Sequence, residues 1–218
     1  MSIPIPCLDG LLLASAAYPS GFSYSLFTQR RGPQPEVSTS FLAFMTLPYA
    51  VVGAVTYALR PERIALHGTS ALLLALALLL APVALGIEYV IHSLASYRPG
   101  SPLFRSVSVQ SFWNRLLTPG ERLLFGLVVL GEEIFYRGLW FGTLERFGLP
   151  LALALGISSL AYGLNHLSFG ATSVLSKTVS GCLYGALYAL GGRNLLLPLV
   201  AHCLQNLVLF QIGKDRHA

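Results

Sequence analysis

The chain has 218 residues, 54% of them hydrophobic and only 11% charged, with a formal net charge of +5. A soluble domain carries about 25% charged residues, so this composition excludes a disordered chain and argues against a water-soluble globule. With a mean hydropathy of +0.66, lipid is the expected solvent for most of the chain.

The net charge does not point to nucleic acid. The basic residues stand singly or in pairs at the ends of apolar runs, as flanking charges of membrane helices do, and no nucleic-acid motif is present. Cys7, Cys182 and Cys203 have neither CxxC nor zinc-ribbon spacing and read as small hydrophobes.

A membrane-crossing helix needs about 20 mostly apolar residues. The first apolar stretch, Leu8 to Phe27, contains Asp9, Pro19 and Gly21 and reads as a weak seventh segment, bent or interfacial. No Lys or Arg precedes it, so it is expected to be retained rather than cleaved as a signal peptide. Six strong spans follow: Phe41–Leu59, Thr69–His92, Leu123–Thr143, Leu149–Leu167, Thr172–Leu190 and Leu195–Ile212.

The linkers carry Pro, Gly and Arg at Gln29 to Pro35, Arg60 to Arg63 and Tyr97 to Pro102. The later connections are short, at Phe147-Gly148, Phe169-Gly170 and Gly191-Gly192. Short connections make antiparallel neighbours, so the last four spans should form a compact bundle. Leu103 to Leu117 sets Phe104, Phe112 and Trp113 among Arg105 and Arg115, a pattern suited to a helix lying in the bilayer interface.

The expected fold is therefore an all-α polytopic membrane bundle of six to seven transmembrane helices plus an interfacial amphipathic helix. Residues 1–120 form an N-terminal membrane region, 121–212 a four-helix core and 213–218 a short polar tail. Eight Lys and Arg residues flank the spans on the side before the first strong span and four on the other. The eight-charge side should be cytoplasmic. That puts the C-terminus inside, and the N-terminus too unless the weak first segment crosses.

Ionisable residues inside spans are costly and tend to mark sites. Glu132 and Glu133 open the run Glu-Glu-Ile-Phe-Tyr-Arg near the middle of the third strong span. Glu133 and Arg137 stand at i, i+4 and can pair within the helix. Glu132 is left on another face, near Phe135 and Tyr136, where a buried carboxylate can serve as general base or acid. Tyr162 and His166 lie one turn apart in the fourth span.

His202 and Asn206 do so in the last span, offering two donors to one oxygen, as an oxyanion hole requires. Each pattern alone is also what helix–helix hydrogen bonding would leave. Together, a carboxylate pair, two histidines and an asparagine have the parts for water-driven amide hydrolysis.

Glu-Glu-x-x-x-Arg, then aromatic-x-x-x-His, then His-x-x-x-Asn, in that order across four late helices, resembles the CAAX protease and bacteriocin-processing (CPBP) family of glutamic-type intramembrane endopeptidases. That family includes the Ras-converting CAAX prenyl proteases. The resemblance covers roughly Glu121 to Ile212. Its second motif usually has Phe where this chain has Tyr162, which keeps the ring and adds a hydroxyl.

Carried over by motif position, the resemblance implies that Glu132 activates water with help from His166. His202 and Asn206 would stabilise the oxyanion, with Glu133, Arg137 and Tyr162 supporting the site. It implies no metal and no cofactor; a His-Glu-x-x-His zinc helix is absent from the sequence. The partners expected are the lipid bilayer and a membrane-associated protein or peptide substrate, with a CAAX tail, a leader and a sorting tail as the substrate classes. An integral protein of the cell (inner) membrane is expected.

Two other readings compete. A non-catalytic scaffold or immunity protein of the same fold would keep working without Glu132. A small transporter would use the Glu and His residues as a relay, but no internal repeat of the transporter kind is evident. Glu88 and His92 read as interfacial, with polar groups added to the bundle's cavity as the alternative, and Lys177 as snorkelling to the surface. Gly181, Gly185 and Ala189 read as a close-packing stripe within the bundle, with a homodimer face as the alternative, and Tyr184 and Tyr188 as ordinary bundle or cavity residues.

Overall fold

The computed structural model describes residues 39–103 and 117–214, together with 9–10, 23–24, 26 and 29; for 210–214 only the backbone is described. The described residues are all helix, turn and connecting chain, with no strand among them. The helices are α1 (Thr39–Leu59), α2 (Ala71–Ala95), α3 (Pro119–Glu133), α4 (Gly142–Arg146), α5 (Leu151–Leu164), α6 (Ala171–Leu190) and α7 (Leu196–Lys214). A π-helical stretch, Ile134–Phe141, joins α3 to α4 without a break. All six strong spans are thus helical, with ends shifted by a few residues. The expected interfacial helix lies almost wholly in 104–116, outside the described residues.

α1 and α2 are long and apolar enough to cross a membrane. Their outward faces carry bare hydrophobics such as Leu47, Tyr57, Leu72 and Leu79, the last two 79% and 66% exposed. Apolar surface on that scale belongs against lipid. Pro48 and Pro82 sit inside these helices, as membrane helices tolerate when neighbours satisfy the freed carbonyls.

α3 begins at a capping box. Thr118 Oγ1 accepts from the Glu121 N–H, the Glu121 carboxylate accepts from the Thr118 N–H at 2.9 Å, and Pro119 takes the first turn, where its missing N–H costs nothing. Turns with positive-φ glycines, at Gly148, Gly170 and Gly192, reverse the chain between α4 and α5, α5 and α6, and α6 and α7.

Named contacts fix the directions. Thr39 at the start of α1 donates to Glu121 at the start of α3, at 3.1 Å, so α1 and α3 run parallel. Where they finish, the Arg60 to His67 connection meets the ends of the later helices. The Asn194 side chain donates to the His67 carbonyl at 2.8 Å, and the Leu195 N–H to the Ala65 carbonyl at 2.9 Å. Arg193 pairs with Glu145 at the same end.

Asp9 is there too, bonded to Arg60 and Arg146 at 3.0 Å each. Tyr24 is at the opposite end, its ring 6.5 Å from that of Phe41 and 6.2 Å from that of Phe169. The weak first segment, Leu8 to Phe27, lies mostly outside the described residues.

Glycines let the helices approach. On α6, Gly181 and Gly185 face Ser159 and Leu155 of α5, and Gly163 on α5 faces Val174 and Thr178 of α6. The small-residue stripe is a packing face inside the bundle.

Candidate functional site

The carboxylate pair falls at the end of α3, where the winding changes. Every residue from Gly131 to Leu139 is buried. In the π-helical stretch, backbone bonds reach five residues back: the Gly142 N–H meets the Arg137 carbonyl. Such stretches recur at functional sites because they re-aim side chains within a helix.

Glu133 is fully buried and is held from two sides. Arg137 Nε lies 3.2 Å from Glu133 Oε2 and Nη1 3.4 Å from Oε1, the expected i, i+4 pair. His202, arriving from α7, places Nδ1 2.7 Å from Glu133 Oε1. A carboxylate only accepts, so Nδ1 carries the proton and the ring's chemistry is left to Nε2.

That nitrogen lies 3.3 Å from the Tyr162 hydroxyl and 3.7 Å from Glu132 Oε2. The sequence thus pairs Glu133 with Arg137 along one helix, and the fold adds His202 across 69 residues. Arg137 also donates to the Gly181 carbonyl at 3.3 Å, and its guanidinium lies over the rings of Tyr162 and Tyr184 at 4.8 and 5.4 Å. A delocalised cation between two aromatic faces is well stabilised in a dry interior.

Glu132 occupies another face, as its 100° offset requires. Its Oε1 accepts from the Tyr49 hydroxyl and from Asn165 Nδ2, both at 3.4 Å. Neither partner stands out in the sequence. Tyr49 sits in α1, whose sequence reads as plain apolar span, and Asn165 is overshadowed by its neighbour His166.

α5 ends at Leu164, and the turn that follows points Asn165 inward, 1% exposed, while His166 is half-buried. His166 stays against Tyr162, ring to ring at 5.0 Å, with Nδ1 3.0 Å from the Tyr162 carbonyl. That carbonyl fixes the proton on Nδ1 and leaves Nε2 open.

The fold therefore gathers Glu132, Glu133, Arg137, Tyr162 and His202 into one buried cluster, with His166 at its edge. Asn206 lies one turn beyond His202 on α7, half-buried, and is not hydrogen-bonded to the cluster. Tyr184, read from the sequence as a bundle or cavity residue, stacks on His202 at 5.1 Å and 22° and forms one wall.

A second polar group corrects another expectation. Glu88 is buried rather than interfacial: Lys177 Nζ donates to both its oxygens at 2.8 and 3.0 Å, and Ser180 Oγ to one at 2.7 Å. Lys177 thus turns inward to a partner instead of snorkelling to the surface. His92, half-buried, has Nε2 3.5 Å from Ser176 Oγ. These contacts tie α2 to α6.

Among the described residues, no group of three or more His, Cys, Asp or Glu side chains is arranged to hold a metal ion. Cys182 and Cys203 are free and half-buried.

Residues 104–208 match the family model described as Type II CAAX prenyl endopeptidase Rce1-like. The match contains the carboxylate pair, both histidines and Asn206, and the resemblance to the CAAX protease and bacteriocin-processing family holds over that stretch. No curated protein and no solved structure matches the chain.

Proposed function

Starting from the family match over residues 104–208, we propose that this chain is an intramembrane endopeptidase of the glutamic, metal-independent type. It would hydrolyse a peptide bond near the terminus or the membrane-anchored segment of a substrate protein: a CAAX-type tail, a leader or a sorting tail. The observation that carries the reading is the buried junction of Glu132 Oε2 and His202 Nε2, with Glu133 and Arg137 behind the imidazole.

In the proposed step, Glu132 takes a proton from water as the oxygen attacks the scissile carbonyl. His166, its Nε2 left open by the Nδ1 bond to the Tyr162 carbonyl, helps to orient that water. The carbonyl π pair moves onto oxygen. The oxyanion is met by His202 as the imidazolium, whose charge the Glu133 carboxylate stabilises, and by Asn206 one turn away. Collapse then breaks the C–N bond, and the proton held by Glu132 passes to the departing amine. Donors fixed in a water-poor site stabilise such an anion more than solvent water would. No acyl-enzyme forms, because water is the nucleophile.

The chain is proposed to lie in the cell (inner) membrane with its C-terminus cytoplasmic. Asp9 shares its end of the bundle with Arg60 and Arg146, so the same orientation puts Asp9 on the opposite side.

Mass spectrometry of protein termini tests the reading. Membranes of the native host making wild type are compared with those making Glu132→Gln. New termini present only with wild type, lost by roughly a thousandfold or more in the variant, are the expected result and give the cleavage sequence. Identical termini with both proteins folded would favour a non-catalytic scaffold.

A further inference from the structure

We infer that Tyr49 and Asn165 are positioning residues that clamp one oxygen of Glu132 so that the other faces the reaction. The inference rests on the proteolytic reading for its consequence, but not for its geometry. A glutamate's last torsion is soft, with a broad, roughly two-fold preference. Burial alone therefore does not aim a carboxylate; donors do.

Glu132 Oε1 has two such donors, the Tyr49 hydroxyl and Asn165 Nδ2, each at 3.4 Å, and Asn165 Nδ2 also lies 3.3 Å from the Tyr49 hydroxyl. The three polar groups close a triangle with both donors on the same oxygen. Oε2 is left to face His202 Nε2 at 3.7 Å. Contacts of this length in a resting site shorten when the reacting complex forms.

The surroundings are built for this clamp. Tyr49 is 2% exposed and its ring packs on Phe135 at 4.8 Å. The residue before Glu132 is Gly131, and a Cβ there would collide with Tyr49. The glycine is what allows α1 to bring its hydroxyl within reach of the carboxylate. Tyr49 comes from outside residues 104–208. The segment that matches the family model thus does not hold the whole site: α1 supplies one of the groups that aim its base.

Two readouts test the clamp, one of them independent of cleavage. The infrared band of Glu132, identified by its loss in Glu132→Gln, should shift in Tyr49→Phe and in Asn165→Ala, because hydrogen bonds to a carboxyl group move its stretching frequency. With a substrate from the terminus comparison, Tyr49→Phe should lower kcat about tenfold while KM and the thermal midpoint in detergent stay as in wild type. Combining it with Asn165→Ala should cost less than the product of the two separate losses, since both act on one oxygen.

Tyr49→Phe keeps the ring and its packing, so it serves where Asn165→Ala fails to fold. An unmoved infrared band overturns the clamp. A shifted band with unchanged kcat overturns its role in aiming Glu132. A shifted band in a protein whose wild type cleaves nothing leaves the clamp standing and removes the proteolytic reading.

Discussion

α1 and α2 differ in kind from the helices that follow. They are 21 and 25 residues long, apolar along their length and bare on their outer faces. The later helices are shorter or interrupted. α3 gives way to π winding beside a carboxylate pair, and α5 stops after 14 residues, just before Asn165 and His166. Hydropathy and chemistry compete for the same positions. The two longest unbroken apolar helices carry little of the site, and the shorter or interrupted ones carry most of it. Even so, the outer helices send polar side chains inward, among them Tyr49 to Glu132 and Glu88 to Lys177.

Substitutions on either side can break or sharpen this contrast. The largest effect is expected from Glu133→Gln. It leaves the Arg137 guanidinium buried without its counter-charge and weakens the hold on His202, so about 3–5 kcal/mol of stability should be lost, read as a fall in the unfolding midpoint in detergent. A midpoint close to wild type would mean that the inner helices are not joined through this ion pair.

Glu88→Gln should cost less, about 1–2 kcal/mol. The Lys177 side chain is 17% exposed and can turn toward water once its partner loses charge. The effect should be local, with faster hydrogen exchange near Glu88 in α2 and Lys177 in α6 and little change around Glu132. Faster exchange at the carboxylate pair would show that α2 supports the site directly.

The smallest effect is expected at the Arg60 end. Arg193→Ala removes the pair with Glu145, in which the Arg193 side chain is 42% exposed, and should shift stability by less than about 1 kcal/mol. A midpoint loss matching that of Glu133→Gln would move the molecule's main anchor from the buried cluster to this loop.

Much of this architecture is legible in the linear chain. The six apolar runs are bounded by Pro, Gly and Arg, so their helices end close to where composition says they should. Glu133 and Arg137 are readable as a pair because a single helix sets their geometry. What is hidden depends on tertiary placement. Nothing local tells His202 to choose Glu133 over Glu132. Whether Asn165 or His166 points inward depends on where α5 stops unwinding. Tyr49 is one more aromatic in an apolar span until α1 is laid against Gly131. Glu88 and Lys177, near helix ends in sequence, look destined for the interface until α2 and α6 are packed side by side.

The π-helical stretch carries a consequence for how chains of this kind are aligned. A wider turn accommodates one residue more than α winding does while the helix on either side keeps its direction. A relative one residue shorter between Ile134 and Phe141 can wind that stretch as ordinary α-helix and still aim its counterparts of Glu132 and Glu145 the same way. The gap then falls inside a buried helix, directly beside the carboxylate pair, where an aligner that confines gaps to loops would never open one. It would instead shift the small residues at Gly138 and Gly142, which accommodate Arg63, out of correspondence.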